Sequence, residues 1–287
     1  MAYDSFSNSV KRGFLAMPDA LRTIILLNAI VLVAQYFCFF ILGIDLTRYL
    51  GLDTNVLVTI TQPWRIFTYM FLHSMGNIFH FVFNMLWLWW MGRPVEERLG
   101  PRSFLTIYIG AGLFGALVDV IVSFASPPTL VIGASGAVFG VMVAFAMLFP
   151  RTPIMLFLLP PIEARYVVSG LIVLDVLFLN SGGQVARIVH LGGALGGFLL
   201  MRAHRNGFDL SLIPRYFEYL FRKFKSSTPS KPKRKKNKNM SIVTDAEVIE
   251  EVDQSELDEI LEKISKKGYD ALSSEEKRKL FELSKKD

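Results

Sequence analysis

The 287-residue chain contains a single cysteine, Cys38, so an intramolecular disulfide is excluded and the redox compartment cannot be inferred from cysteine use. Charge is also scarce over several long stretches, although Asp, Glu, Lys and Arg make up 20% of all residues. Hydrophobic residues make up 52%, and the mean hydropathy is +0.40. These values exclude an ordinary soluble domain and indicate a membrane protein with a soluble appendage.

Positive charge is concentrated outside the apolar part of the chain. The net charge is +6, and much of the excess lies in residues 231–238 (KPKRKKNK). Beside membrane spans, such a run favours anionic lipid headgroups over nucleic acid. We therefore expect the basic tail to contact the lipid bilayer and expect no nucleic-acid partner.

Six apolar segments are candidates for crossing the hydrocarbon core, which requires about 20 residues of helix. They are residues 23–43, 67–92, 104–124, 134–149, 166–180 and 189–201. No A-x-A-like cleavage site follows the first, so it is predicted to be a retained span. Residues 154–161 are too short to cross and end in two prolines, which favours an interfacial loop or hairpin. The predicted fold class is all-α, a polytopic membrane bundle of six transmembrane helices with a small cytoplasmic helical hairpin.

The distribution of Lys and Arg predicts the orientation of the bundle. These residues are enriched before the first segment, between the second and third, between the fourth and fifth, and after the sixth. Cytoplasmic loops carry such an excess. Both termini are therefore predicted to be cytoplasmic in a multi-pass protein of the cell membrane, with a bacterial inner membrane expected.

This orientation places four polar residues near the outer face. His80 and Asn84 lie early in the second segment, Ser135 begins the fourth and His190 begins the sixth. Ionisable groups at membrane depth are costly and usually face the protein interior or a water-filled cavity. Their shared depth predicts a functional site.

A hydroxyl and an imidazole at one depth are typical of nucleophilic catalysis, in which histidine takes the proton of serine. His190, Gly193 and Gly197 share one helix face, and Gly136 begins a similar small-residue face beside Ser135. Such faces let helix backbones approach closely, which would bring Ser135 to His190. The same glycines and serine also fit simple helix packing without catalysis.

Acyl transfer also requires donors for the developing oxyanion. Ser135 begins a predicted helix, where backbone N–H groups are unpaired, and His80 and Asn84 share a face at i, i+4 spacing. An orienting acid is harder to place. Asp119 and Asp175 are the candidates, but Asp175 lies nearly three turns into its segment and is expected well below Ser135.

The order and spacing of five motifs between residues 64 and 202 resemble the rhomboid intramembrane serine proteases. The motifs are Trp64-Arg65, HFVFN (80–84), GRPVEERLG (92–100), GASG (133–136) and HLGGALGG (190–197). The resemblance implies a Ser135–His190 catalytic dyad without a third acid. It also implies an oxyanion hole formed by His80, Asn84 and the Ser135 backbone N–H, and requires no metal or cofactor.

The resemblance assigns further residues to packing and structural positions. Gly133, Gly136, Gly193 and Gly197 belong to the packing motifs, and Trp64, Arg65, Glu96 and Arg98 are structural polar positions. Phe139, where relatives often carry Tyr, is expected to pack on the His190 ring. His73 precedes His80 by seven residues rather than about five, so it is given no catalytic role.

The predicted organisation has five parts. Residues 1–22 form a cytoplasmic N-terminal segment, 23–205 a six-span rhomboid protease domain, 206–225 an interfacial amphipathic helix, 226–254 a disordered basic linker and 255–287 a small helical module. In this module Gly268 suits a helix stop and Ser273 to Glu276 a capping box. The module resembles one found at the C-terminus of some bacterial rhomboid proteins.

Two functions from different classes fit the sequence. The first is a serine protease that cleaves transmembrane segments of membrane proteins near the outer face. The second is a non-proteolytic rhomboid-like protein that binds membrane clients. A transporter fits less well, because the polar cluster lies toward one face and no inverted repeat is visible.

Overall fold

The computed structural model describes residues 13–125, 127–155, 160–179 and 184–226, together with 260, 262–264, 266, 268 and 271–277. The chain divides into two compact units, Met1–Pro229 and Ser230–Asp287. The helices of the first unit are α1 (Asp19–Leu42), α2 (Thr47–Leu50), α3 (Val56–Thr61), α4 (Arg65–Thr68), α5 (Ile78–Leu99), α6 (Pro101–Val122), α7 (Ser135–Leu148), α8 (Ala164–Leu177), α9 (Gln184–Arg205) and α10 (Leu212–Ser226).

Strands contribute little to the described part of the chain. β1 (Leu52–Asp53) pairs antiparallel with β2 (Leu130–Val131), and β3 (Pro153–Ile154) pairs antiparallel with β4 (Ile162–Glu163). Each pair ties two loops together without forming an extended sheet. The predicted all-α class is confirmed.

The helices α1 and α5–α9 correspond in order to the six apolar segments, and the largest difference in bounds is at the start of the second. The second segment was expected to begin at residue 67, but α5 begins at Ile78, where the Asn77 side chain accepts a hydrogen bond from Phe79 N (3.1 Å). Residues 69–71 form a buried 3₁₀ turn instead. Apolar content alone does not distinguish a buried turn from the start of a span.

Apolar surface covers the outside of the bundle. On α1, Val33, Phe40 and Ile41 are each about two-thirds exposed, and Leu177 on α8 is 71% exposed. Soluble monomers rarely expose apolar patches of such extent. Among the described helices, α1 and the segment Pro101–Ala125 are long and apolar enough to cross a membrane, and α7 is a shorter apolar helix.

Backbone contact between α7 and α9 forms the centre of the bundle. A Cβ atom added at Gly193 would lie 2.0 Å from the Gly136 carbonyl oxygen, and one at Gly197 would lie 2.5 Å from the Gly140 carbonyl oxygen. Only glycine allows the backbones to approach so closely. The contact sets the first two turns of α7 beside the middle of α9.

Gly193→Ala is therefore expected to lower the free energy of unfolding by about 1–3 kcal/mol, because the added methyl group forces the two backbones apart. The matched control is Gly170→Ala in α8, where an added Cβ meets nothing within 4 Å. There alanine should be neutral or stabilising by up to about 1 kcal/mol, because it favours helix. Unfolding of both variants in detergent tests this, and equal stability would contradict the packing argument.

The helix α10 is joined to α6 by polar contacts. Arg102 donates to both carboxylate oxygens of Glu218 at 3.0 Å, and Thr106 Oγ1 donates at 2.7 Å to the carbonyl of Leu210, which lies just before α10. The Arg102 hydrogen bond lowers the pKa of Glu218 below its ordinary value. These bonds fix α10 beside the first turns of α6.

The second unit contains the predicted helix stop and capping box. Gly268 adopts φ +78° and donates to the Ile264 carbonyl at 2.9 Å. Ser273 N donates to the Glu276 carboxylate at 2.6 Å, and Glu276 N donates to Ser273 Oγ at 3.3 Å. Hydrogen bonds from Lys263 and Ser273 lower the pKa of Glu276 to about 2. The reciprocal capping bonds and the ion pair between Lys263 and Glu276 stabilise the described part of the module.

Candidate active site

One cavity brings together the polar residues predicted to form the site. It has a volume of about 490 Å³ and lies between α5, α7, α8 and α9. Its lining includes His80, Asn84, Ser135, Phe139, Leu171 and His190. The starts of α5, α7 and α9 each contribute, because these helices enter the bundle from the same side.

The His80 ring is oriented by a backbone donor. Ser74 N donates to His80 Nδ1 at 3.3 Å, so the neutral ring carries its proton on Nε2. A Cβ at Gly133 would lie 3.0 Å from this Nε2 and 3.7 Å from Ser135 Oγ, so both atoms border the same point. Gly133 also has φ +133°, which disfavours other residues. His80 thus presents an N–H donor beside the Ser135 hydroxyl.

Asn84 supplies a second side-chain donor to the cavity. Its Nδ2 donates to the His80 carbonyl one turn earlier at 2.6 Å, which identifies the nitrogen end of the amide. This bond uses one of the two N–H groups and leaves the other for the cavity. Ser135 N, at the first turn of α7, is a third donor of the kind that helix N-termini supply.

The His190 ring is held on two sides. Phe139 stacks on it with centroids 4.5 Å apart and planes 9° apart. His190 Nδ1 lies 2.9 Å from Asp175 Oδ2. Ser135 and His190 both line the cavity, but no hydrogen bond joins their side chains in the described part of the chain. Catalytic hydrogen bonds of this kind commonly form or tighten only when substrate binds.

The position of Asp175 corrects the expectation that it lies well below the serine and histidine. The first turn of α8 carries Arg165, which shares a pocket with Met147 at the end of α7 and Phe198 in α9. The helix α8 therefore runs antiparallel to α7 and α9, and its last turn, with Asp175, lies beside the second turn of α9, which carries His190. A position nearly three turns into α8, such as that of Asp175, is therefore close to the site. An acid therefore contacts His190, although the resemblance implies a catalytic dyad without a third acid.

The structural polar positions lie outside the cavity. Trp64 Nε1 donates to the Tyr49 carbonyl at 3.1 Å, and Arg65 donates to the carbonyls of Gly51 (2.9 Å) and Arg48. The Arg65 side chain is buried, so these bonds fold the segment between α1 and α5. They shape the loop that precedes His80 without entering the site.

Glu96 and Arg98 differ although they are two residues apart. The Glu96 carboxylate accepts from Ala20 N (2.9 Å) and Leu21 N (2.7 Å), which satisfies two unpaired donors at the start of α1. Arg98 is exposed, and its side chain makes no hydrogen bond or ion pair with any residue the structure describes. Within the described residues, no polar contact therefore supports the structural role expected for Arg98.

Sequence reasoning missed Gln35, a buried amide on α1. Gln35 Nε2 donates to the His73 carbonyl at 3.0 Å, and His73 N donates to Gln35 Oε1 at 2.9 Å. The His73 ring is buried 5.4 Å from the His80 ring, and neither of its nitrogens has a partner among the described residues. The only sign of this role in the sequence was a single Gln within the apolar run of residues 23–43. Asp119 is buried in α6, outside the cavity lining.

Comparison with known proteins places these features in a family. Residues 60–206, just over half of the chain, match the family model of the Rhomboid domain, and residues 250–286 match a family of unknown function (DUF6576). The chain is similar to Rhomboid protease GluP of Bacillus subtilis (strain 168), at 35% identity over 158 residues covering 53% of this chain and 28% of the relative.

Two further relatives match the same region. Rhomboid-like protease 3 of Toxoplasma gondii is 30% identical over 162 residues, covering 56% of this chain and 58% of the relative. Rhomboid protease GlpG of Serratia proteamaculans (strain 568) is 30% identical over 145 residues, covering 48% and 47%. The chain thus spans between 28% and 58% of the length of these relatives. On the match of the family model, the chain belongs to the rhomboid family.

Proposed function

We propose that the protein is an intramembrane serine protease that cleaves transmembrane segments of membrane proteins near the outer face of the bilayer. The observation that carries the proposal is that Ser135, His190, His80 and Asn84 line the same cavity. It combines a hydroxyl, an imidazole base and two N–H donors within one cavity, the set that acyl transfer requires. Several relatives are named as rhomboid proteases, which agrees with this chemistry.

The proposed reaction begins when Ser135 Oγ attacks the substrate carbonyl and its proton passes to His190 Nε2. The tetrahedral oxyanion accepts hydrogen bonds from His80 Nε2–H, the Asn84 amide and Ser135 N. The C–N bond then breaks as His190 returns the proton to the leaving amine. His190 then deprotonates a water molecule, which attacks the acyl carbon; the Oγ–C bond breaks and His190 returns the proton to Ser135 Oγ. The steps require no metal or cofactor.

The proposal includes the membrane topology. The helices α1 and α5–α9 span the bilayer with both chain ends cytoplasmic, and α10 lies at the cytoplasmic interface, in the cell membrane of a bacterium. The basic run 231–238 would contact anionic lipid, and no nucleic-acid partner is proposed. The N-terminal residues 1–12 and the predicted linker from residue 227 onward lie outside the described residues.

A fluorophosphonate probe is expected to label the native protein at Ser135, because the probe reacts with a serine whose proton a neighbouring base removes. Mass spectrometry of the digested protein identifies the labelled peptide. His190→Ala is expected to reduce the labelling rate strongly, and protein denatured before addition of the probe should not be labelled. A client-binding protein without proteolytic activity predicts no labelling at Ser135, and that result would contradict the proposal.

A further inference from the structure

The contact between Asp175 and His190 is shielded from solvent. The two side chains are 17% and 19% exposed, and Oδ2 lies 2.9 Å from Nδ1. Exposed ion pairs contribute little because water and salt screen them. A carboxylate hydrogen bond in a partly buried, apolar surrounding is stronger. This hydrogen bond is therefore suited to holding the His190 ring in one orientation and one tautomer.

From this geometry we infer that Asp175 is a positioning residue for His190 in the proposed proteolysis, so that the inference rests on the proposed function. A carboxylate can only accept, so Nδ1 must carry the ring proton. The lone pair of the neutral ring is then on Nε2, the atom that takes the proton from Ser135. The opposite tautomer would present an N–H to the serine and could not act as a base.

Phe139 alone cannot make this selection. Stacking fixes the plane of the His190 ring, but a half-turn about the Cβ–Cγ bond keeps the same plane and exchanges the nitrogen and carbon positions. The Asp175 hydrogen bond distinguishes the two orientations because only one of them places Nδ1 at the carboxylate. The Phe139 stack and the Asp175 hydrogen bond together determine the plane, the orientation and the tautomer of the His190 ring.

Asp175 also has an electrostatic part in the reaction. When the Ser135 proton arrives at Nε2, the His190 ring becomes positively charged while the Oγ–C bond forms. The carboxylate at Nδ1 stabilises that charge without taking the proton itself. When the C–N bond breaks, the Nε2 proton passes to the leaving amine and the ring returns to neutral.

Asp175→Asn is expected to lower kcat about 10–100-fold for a reporter transmembrane substrate in proteoliposomes, with KM changed by less than about twofold, because the interaction strengthens only in the charged transition state. The reduction should be smaller than for loss of Ser135, because Phe139 still holds the ring plane. Asp175→Glu should recover much of kcat. The matched control, Asp119→Asn, removes a buried carboxylate of α6 outside the cavity lining and should retain kcat within about twofold.

Nitrogen NMR of protein labelled at its four histidines separates positioning from a general structural effect. The His190 ring, assigned by comparison with His190→Ala, is expected to be protonated on Nδ1 in the native protein and to shift toward the Nε2-protonated form in Asp175→Asn. Unchanged kcat in Asp175→Asn, an equal loss in Asp119→Asn, or an unchanged tautomer would overturn the inference.

The outcomes also distinguish this inference from the function on which it rests. If the native protein cleaves the reporter, Ser135→Ala does not, and Asp175→Asn is fully active, only the positioning role fails. If the native protein neither cleaves the reporter nor reacts with the fluorophosphonate, the proposed function fails and the inference fails with it.

Discussion

Replacement of Ser135 by alanine is expected to lower cleavage of a reporter transmembrane substrate by at least about 10⁴-fold, because Ser135 supplies the hydroxyl that forms the acyl-enzyme in the proposed mechanism. Loss of the nucleophile in soluble serine proteases has effects of this size or larger. Alanine suits the first turn of α7 and keeps the backbone N–H, so the fold and one oxyanion donor remain. The loss should therefore appear in kcat rather than in expression or stability.

The measurement is the release of the cleaved fragment from proteoliposomes by native protein and variant at equal amounts of folded protein. Ser169→Ala on α8 is the matched control, because this serine lies outside the cavity lining and is exposed. It should cleave at the native rate. Cleavage by Ser135→Ala at a rate near native would exclude a serine mechanism at this residue, whatever the similarity of the chain to proteases.

The course of the helices was largely predictable because apolar length constrains a bundle strongly. Six apolar segments correspond to α1 and α5–α9, and alternation of direction brings the first turns of α5, α7 and α9 to one end. The glycine faces of α7 and α9 could be read from spacing alone. Local composition was enough for these features because each depends on residues within one helix.

Contacts between distant helices were harder to predict. The depth of Asp175 was misjudged because the number of turns into a segment says nothing about depth until the direction of that helix is included. Gln35 was missed because its partner is the backbone of His73, and a backbone partner leaves no mark in the sequence. The late start of α5 has a similar cause, since the buried turn before it is as apolar as a span.

His80→Ala is expected to lower kcat about 10²–10³-fold, or about 2.7–4 kcal/mol of transition-state stabilisation, the usual effect of losing one oxyanion donor. Ser74 N fixes the His80 tautomer, so the Nε2–H donor is in place before substrate arrives. A preorganised donor stabilises the tetrahedral oxyanion more than the planar carbonyl. KM should therefore change much less than kcat.

The test measures kcat and KM for His80→Ala, Asn84→Ala and the double variant, with His204→Ala near the opposite end of α9 as the matched histidine control. His204 lies outside the cavity lining, and its variant should cleave at the native rate. The double variant should lose less than the product of the two single losses, because Asn84 also bonds to the His80 backbone. If His80→Ala raised KM and left kcat intact, His80 would bind substrate without stabilising the oxyanion. The hole would then consist of Asn84 and Ser135 N alone.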